Sequence, residues 1–253
     1  GECLETFVGH KSWILCLGVF SNDDIFASGS DDGIIKLWNS VSRECLDTFK
    51  AHDGWVLTLE ILKNNDLASG GSDNLIKIWD IDSGKCLKTL EGHTDSIRSI
   101  KELSNGNLIS GSYDKTIRIW DIKTGKCIKI LAEHEDWVLS LNIFSSNFFA
   151  SGSSDNTIKI WNLRNYECIQ TIKNHKESVT SLEILPNGIL ISGSNDKTIK
   201  LFGSIFDNIE YSFKQYKEGN KISIDLLENV FNSWLKGEKK NEKEPAHESK
   251  WLN

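Results

Sequence analysis

The feature that most constrains the fold of this chain is a 41-residue repeat that runs through most of its 253 residues. A His, a Ser, an Asp four residues after the Ser and a Trp six residues after the Asp recur in register. Five such sets occur, and Phe202 takes the Trp position in the last. They are His10/Ser28/Asp32/Trp38, His52/Ser69/Asp73/Trp79, His93/Ser110/Asp114/Trp120, His134/Ser151/Asp155/Trp161 and His175/Ser192/Asp196. A period of this length indicates stacked copies of one supersecondary unit.

Each period has the pattern of short strands joined by turns. Residues 33–38, 74–79, 115–120 and 156–161 alternate apolar and polar side chains and end in Trp, as half-buried strands do. Turn sequences such as Asn-Gly at 105–106 and Thr-Gly at 124–125 separate the strand patterns. The sequence therefore predicts about four antiparallel strands in each period and an all-β fold of radially repeated sheets.

The runs ECLDTFKAH, KCLKTLEGH and SGSYDKTIRIWD resemble the WD-repeat (WD40) family over residues 1 to about 213. This resemblance implies a β-propeller with five recognisable four-stranded blades. It also implies that each His/Ser/Asp/Trp set is a hydrogen-bonded structural tetrad, in which buried polar groups satisfy one another. Phe202 lacks an indole N–H, so the fifth set is expected to lose its last donor.

The pattern places the repeats at about 10–50, 51–91, 92–132, 133–173 and 174–213, with outer strands at 2–7 and 208–213. Residues 1–9 are expected to form the outer strand of a preceding or closing blade. Two alternatives remain open: a closed five-bladed ring, or most of a larger, seven-bladed ring. The absence of an initiator Met and the start inside a turn favour the larger ring.

Residues 214–253 have a different composition. Apolar residues from Ile224 to Leu235 recur at helical spacing, so we expect a short amphipathic helix followed by a charged, disordered tail. The helix would either recruit a partner or cover an open edge of the propeller.

Charge and hydropathy disfavour several functional classes. The net charge of −7 argues against direct binding of nucleic acid, which needs clustered Lys and Arg. No apolar run reaches the roughly 20 residues of a membrane helix. Five of the six Cys share one slot of the repeat, namely Cys3, Cys45, Cys86, Cys127 and Cys168. We expect them to be small, buried and reduced, which favours a cytoplasmic or nuclear protein.

The sequence predicts no catalysis, metal or cofactor. Ser, His and Asp in one set could suggest a hydrolase triad, but every repeat carries the set and no G-x-S-x-G motif accompanies it. One His in each blade would also lie too far from the next to share an ion.

In the family, partners often dock on the face formed by the loops that enter each first strand and by the turns that carry the Asp. We therefore predict a partner-binding surface formed by Trp13, Leu15, Asp31, Trp55, Leu57, Arg98, Tyr113, Trp137, Leu139 and Asn195. Aromatic side chains and Arg are the residue types enriched in interaction hot spots.

The predicted function is a non-catalytic scaffold that binds peptides or partner proteins as a subunit of a larger complex. The alternatives are a substrate receptor of a ubiquitin ligase and a regulatory module of a larger protein. Recognition of phosphopeptides is disfavoured, because it needs several Arg on one face and the chain has only Arg43, Arg98, Arg118 and Arg164.

Overall fold

The computed structural model describes residues 1–21 and 24–203, which form nineteen β-strands and no helix. The strands make five antiparallel sheets that follow one another along the chain. The first sheet contains β1 (Ile14–Val19), β2 (Ile25–Ser30), β3 (Ile34–Asn39) and β4 (Cys45–Lys50). The second contains β5 (Val56–Ile61), β6 (Leu67–Gly71), β7 (Ile76–Asp80) and β8 (Lys85–Leu90).

The third sheet contains β9 (Ile97–Glu102), β10 (Leu108–Ser112), β11 (Ile117–Asp121) and β12 (Lys126–Leu131). The fourth contains β13 (Val138–Ile143), β14 (Phe148–Ser153), β15 (Ile158–Asn162) and β16 (Glu167–Ile172). The fifth contains β17 (Val179–Ile184), β18 (Leu190–Ser194) and β19 (Ile199–Phe202). Strands in every sheet pair in sequence order, which is the meander expected of a propeller blade.

The third strand of each repeat shows why the sequence folds in this way. In β7, Ile76 and Ile78 are buried, while Lys77 between them is only half-buried. This alternation follows from the two-residue period of a strand. The turn before the strand needs a left-handed backbone, which Gly33 adopts in the first repeat and Lys115 in the third.

The core lies between neighbouring sheets. Ile35 and Leu37 of β3 form one buried cluster with Val56 and Leu59 of β5, the first strand of the next sheet. Equivalent residues form the clusters between the second and third sheets and between the third and fourth. The second, third and fourth sheets therefore each bury one face against the preceding sheet and the other against the following sheet.

A glycine in each second strand allows this close approach. A Cβ atom at Gly70 would lie 2.7 Å from Cγ2 of Ile97 in the following sheet. Gly29, Gly111 and Gly152 meet Val56, Val138 and Val179 at similar distances. Any larger residue would force the two sheets apart.

Several expectations at the edges need correction. Residues 2–7 were expected to be an outer strand, but β1, the first strand, begins only at Ile14. The segment nevertheless packs on the first sheet: the Phe7 ring lies 5.6 Å from that of Trp38, much as Phe49 lies 4.9 Å from Trp79. The outer strand of a preceding or closing blade needs the free edge of that blade's third strand, and β19, which lacks a fourth strand in its sheet, pairs only with β18 among the described residues.

The fifth sheet has three strands within the described residues. Its expected fourth strand at 208–213, the amphipathic helix and the charged tail lie outside the part of the chain that the structure describes. No helix among the residues described is long and apolar enough to cross a membrane.

The expectation that the repeated Cys residues are buried is wrong for all five. Cys3, Cys45 and Cys86 are exposed, and Cys127 and Cys168 are half-buried. Cys45 is the first residue of the outermost strand of its sheet, and Cys86, Cys127 and Cys168 are the second residues of theirs. The outermost strand pairs with another strand on one side only. All six Cys are free thiols.

Candidate functional site

The His, Ser, Asp and Trp side chains form a complete chain of hydrogen bonds in three of the five repeats. In the third repeat, Nδ1 of His93 lies 2.7 Å from the Asp114 carboxylate and Nε2 lies 2.7 Å from Oγ of Ser110. The Trp120 indole donates to the same hydroxyl at 2.8 Å. A carboxylate only accepts, so Nδ1 carries the proton, and the Ser hydroxyl then donates to Nε2.

The second and fourth repeats have the same geometry. The distances involving His52 and His134 lie between 2.6 and 2.8 Å. Trp79 and Trp161 each donate to the Ser of their own repeat at 2.8 Å.

The Asp carboxylate accepts more hydrogen bonds than the sequence suggested. Asp114 also accepts from the backbone N–H of Thr94 at 3.0 Å and from the hydroxyl of Thr116 at 2.6 Å. Thr157 and Thr198 make the same contact with Asp155 and Asp196. The sequence analysis missed these Thr residues, although they recur 41 residues apart, two positions after the Asp of the third, fourth and fifth repeats.

These contacts shift the pKa of the groups involved. Burial of Asp114 favours its neutral form, but hydrogen bonds from His93 and Thr116 favour the carboxylate more and lower its pKa. The pKa of Asp155 is lowered by the same balance, with His134 and Thr157 as donors. Burial lowers the pKa of His93, and the contact with Asp114 opposes that effect.

The first repeat has only part of the expected tetrad. His10 and Trp38 both bond to Oγ of Ser28 at 2.7 Å. The bond between His10 and Asp32 is not formed, and Nδ1 of His10 is buried without a hydrogen-bond partner in the described part of the molecule. Asp32 instead accepts from the backbone N–H of Ile34 at 3.1 Å.

In the fifth repeat the chain of hydrogen bonds ends at the Ser192 hydroxyl. His175 contacts Asp196 at 2.8 Å and Ser192 at 2.6 Å. Phe202 occupies the Trp position and supplies no donor.

The tetrads are arranged for structure and give no substrate access. A catalytic Ser must present its oxygen to a substrate, but Ser69, Ser110 and Ser151 are fully buried, and each oxygen already contacts a His and a Trp. Among the described residues, no group of three or more His, Cys, Asp or Glu side chains could hold a metal ion.

The predicted partner-binding residues lie at one end of the sheets. The residue three positions after each His accepts a backbone hydrogen bond from the residue just before each Asp. The five bonds join Asp31 to Trp13, Ser72 to Trp55, Tyr113 to Ser96, Ser154 to Trp137 and Asn195 to Ser178, all at 2.9–3.0 Å. Each entry loop is thus tied to the turn that carries the Asp.

Three Trp side chains at this end are exposed. Trp13, Trp55 and Trp137 expose 78%, 55% and 45% of their surface, whereas the tetrad Trp residues are buried. Tyr113 stacks on Trp137 with ring centroids 4.3 Å apart and an interplanar angle of 13°. This stack joins the turn of the third repeat to the entry loop of the fourth.

The other predicted residues contribute differently. Arg98 is half-buried on β9 and donates to the carbonyl of Leu57 on β5 at 3.2 Å. Leu57 is buried, and Leu15 and Leu139 are half-buried on equivalent first strands. Asp31 is half-buried and Asn195 is exposed, both in the turns at the same end. We define the loop-end surface as Trp13, Trp55, Arg98, Tyr113 and Trp137.

The repeated four-stranded sheets, the tetrads and the packing of each sheet on the next define a β-propeller built from sequence repeats. The family profile described as "WD domain, G-beta repeat" matches residues 1–39, 43–80, 84–121, 125–162 and 166–203. The chain therefore belongs to the WD-repeat family, which confirms the resemblance and the fold class inferred from the sequence. Proteins of this family generally mediate protein–protein interactions and are generally not catalytic.

Individual relatives match short segments. The chain is 37% identical over 41 residues to "Ribosome biogenesis protein erb1" of Schizosaccharomyces pombe, which covers 16% of this chain and 6% of that protein. It is 46% identical over 39 residues to "Nuclear distribution protein PAC1" of Candida tropicalis, which covers 15% of this chain and 8% of that protein.

The fold also matches a solved structure, described as "Structure of U3-55K". The TM-score is 0.73 at 25% identity, and the match covers 78% of this chain and 63% of that one. The chain thus spans less than two thirds of the length of each of these three proteins.

Proposed function

We propose that this protein is a non-catalytic interaction scaffold that binds a peptide or a loop of a partner protein on the loop-end surface. The observation that carries the proposal is the exposure of Trp13, Trp55 and Trp137 at the same end of the sheets. Exposed Trp side chains cost free energy in water, and burial against a partner recovers it.

The geometry of the surface supports this role. The loops that carry the Trp residues are fixed by backbone hydrogen bonds, and Trp137 is held further by its stack on Tyr113. A surface that is ordered before binding loses little conformational entropy when a partner docks.

The distribution of Arg favours an unphosphorylated ligand. Arg98 alone lies on a first strand, whereas Arg118 lies on the third strand β11 and Arg43 precedes β4, where it pairs with Glu5 at 2.8 Å. A phosphate group is best held by several converging guanidinium groups.

The test is a selection of linear peptides from a displayed library against the full chain, followed by affinity measurement on variants. We expect Trp55→Ala combined with Trp137→Ala to weaken binding of the selected peptides by about tenfold or more, as loss of hot-spot anchors does. The melting temperature should stay nearly unchanged, because both side chains lie outside the core.

The matched control is Val41→Ala. Val41 is 70% exposed and lies in the turn between β3 and β4, at the opposite end of the sheet. Peptides that bind this variant and the parent equally well, but not the Trp variant, support the loop-end surface. Peptides that bind all three proteins equally well contradict it.

The wider role is that of a subunit of a larger complex in the cytoplasm or nucleus. The printed names of two relatives refer to ribosome biogenesis and to nuclear distribution, and both settings fit such a role. A substrate receptor of a ubiquitin ligase and a regulatory module of a larger protein are specific forms of the same proposal.

A further inference from the structure

The charged residues of the strand connections are divided unevenly between the two ends of the sheets. At the end that carries the loop-end surface, the connections are the loops that lead from one sheet to the next and the turns between second and third strands. They are residues 31–33, 51–55, 72–75, 91–96, 113–116, 132–137, 154–157, 173–178 and 195–198.

These connections contain thirteen Asp or Glu residues and four Lys residues, an excess of nine negative charges. The connections at the opposite end contain four acidic and four basic residues among those that the structure describes, so that end is balanced. An asymmetry of this size attracts cationic groups to one end of the sheets and repels anionic ones.

The tetrads contribute to this charge. Although burial raises the pKa of Asp114 and Asp155, hydrogen bonds from His and Thr lower it more, so both carboxyl groups stay ionised. Burial lowers the pKa of His93, so its ring is neutral at pH 7 and does not cancel the charge of Asp114.

Few cations of the chain itself compensate the acidic residues at this end. Lys115 lies 3.9 Å from the Asp136 carboxylate and donates to the Glu135 carbonyl at 2.9 Å. Within the described ranges, this is the single contact of a Lys or Arg with a carboxylate of these connections. Asp31 and Asp53 are therefore left without an ion pair in that part of the chain.

Both of these uncompensated residues are neighbours of Trp55. Asp53 is exposed in the same loop, two residues before the Trp. Asp31 lies in the adjoining turn, which touches this loop: a Cβ at Gly33 would lie 2.5 Å from the Gly54 carbonyl oxygen. The two segments are also joined by the Ala51 amide, which donates to the Gly33 carbonyl at 2.8 Å.

The later repeats show what this place in the turn can do. Asp31 has the same position relative to Trp55 as Tyr113 has relative to Trp137, two repeats further along the chain. Tyr113 stacks on Trp137 at 4.3 Å, whereas the short carboxylate side chain of Asp31 offers Trp55 no ring. Trp55 thus keeps 55% of its surface exposed beside two carboxylates.

We propose that the partner segment on the loop-end surface is basic, and that one of its Lys or Arg side chains lies on Trp55 and pairs with Asp31 and Asp53. This inference rests on the proposed function and names the class of ligand. The indole face attracts a cation, and a carboxylate beside it adds a charge-assisted hydrogen bond.

The charges disfavour other occupants. A phosphorylated or acidic segment would meet an excess of like charge, which costs binding energy. A neutral segment would cover Asp31 and Asp53 without pairing them, and a buried unpaired carboxylate is costly. A second copy of this chain would bring another acidic loop end, since its net charge is −7.

The test uses two displayed peptide libraries and the full chain. The libraries are identical except that one allows Lys and Arg and the other has Gln in their place. We expect binders from the first library, enriched in Lys or Arg, with affinity that falls as the salt concentration rises. Asp31→Asn and Asp53→Asn should each weaken binding of these peptides about threefold to tenfold, through loss of one charged contact.

The matched control is Asp82→Asn. Asp82 is exposed like Asp53 and lies in the turn between β7 and β8, at the opposite end of the sheets. The substitution removes the same charge and should leave binding unchanged. If Asp82→Asn weakened binding as much as Asp53→Asn, the peptides would respond to net charge alone, which overturns the inference.

The same experiment separates this inference from the proposed function. Peptides that bind through Trp55 and Trp137 but show no preference for Lys or Arg overturn the inference and leave the proposed function intact. Peptides whose binding does not depend on the Trp residues, or the absence of binders from both libraries, overturn both.

Discussion

At the scale of the residue, the Asp carboxylate holds most of the polar set together. Asp114 accepts from the His93 ring, the Thr94 amide and the Thr116 hydroxyl. Among the described residues, the carboxylate of the equivalent Asp32 accepts from the Ile34 amide alone. The two Asp residues hold the same position in their repeats but differ in what they contact, partly because Ile34 stands where the third repeat has Thr116. They can therefore be compared directly.

Asp114→Asn should lower the free energy of unfolding by about 2 kcal/mol, because the amide nitrogen replaces one carboxylate oxygen and cannot accept the bonds made there, either those from His93 and Thr94 or those from Thr116. Asp32→Asn should lower it by less than about 0.5 kcal/mol, since the amide oxygen can keep the bond to Ile34. Urea denaturation of both variants measures the difference. Equal losses would show that the contacts of Asp114 contribute nothing beyond those of Asp32.

The same contacts determine how stability depends on pH. The folded-state pKa is lowered for Asp73, Asp114 and Asp155, so their contribution is present above the ordinary carboxyl pKa near 4 and is lost as the pH falls below it. The pKa of His93 is also lowered, so the unfolded chain takes up its proton first as the pH falls below about 6.5.

We therefore expect stability to decline from about pH 6.5 downward and more steeply below about pH 4. Denaturation midpoints measured from pH 8 to pH 3 test this, with Asp114→Asn as the control. That variant should show a shallower decline in the acidic range. A parent curve that is flat down to pH 3 would contradict the assignment.

At the scale of the element, the interface between sheets depends on the Gly of each second strand. A Cβ at Gly152 would lie 2.8 Å from Cγ1 of Val179 and 3.2 Å from the Val179 carbonyl oxygen, on a strand that cannot move away freely. A Cβ at Gly193 would meet the Ser181 hydroxyl at 2.5 Å, which can rotate.

Gly152→Ala should therefore destabilise the protein by about 1–3 kcal/mol through overpacking. Gly193→Ala should change its stability by less than about 0.5 kcal/mol. Thermal melting of the two single variants at equal concentration compares them. If Gly193→Ala proved as costly as Gly152→Ala, the space beside Gly193 would already be filled by other residues.

At the scale of the whole molecule, the five repeats have equivalent sequences but differ in how far neighbouring sheets cover them. The middle sheets are buried on both faces, whereas within residues 1–203, the part that the structure describes apart from 22–23, the first and fifth sheets each leave apolar side chains exposed. In a repeat protein, stability is a sum of the units and their nearest-neighbour interfaces, so the end units are the weaker ones.

Amide exchange should be slowest in the second, third and fourth sheets and faster in the first and fifth. The fifth should exchange fastest, because it also lacks the Trp donor of its tetrad and has three strands among the described residues. Exchange measured by mass spectrometry on peptides of each sheet tests this order. Uniform protection across all five sheets would contradict it.

The sequence by itself determined the repeated sheets, the order of their strands and the residues of the three complete tetrads in the second, third and fourth repeats. Those properties depend on residue type and spacing within one repeat, and both are visible along the chain. The exposed Trp positions could be predicted for the same reason, since each lies at a fixed distance from a His.

Only the tertiary structure decided the properties that depend on neighbours in space. It left His10 without Asp32, placed Tyr113 against Trp137 of the next repeat, and exposed Cys45 on an outer strand. It also left Leu17 and Leu201 exposed, whereas Leu59 and Leu37, which hold the same positions in other repeats, are buried. A residue is buried only when another surface covers it, and the sequence of one repeat does not show whether that surface is present.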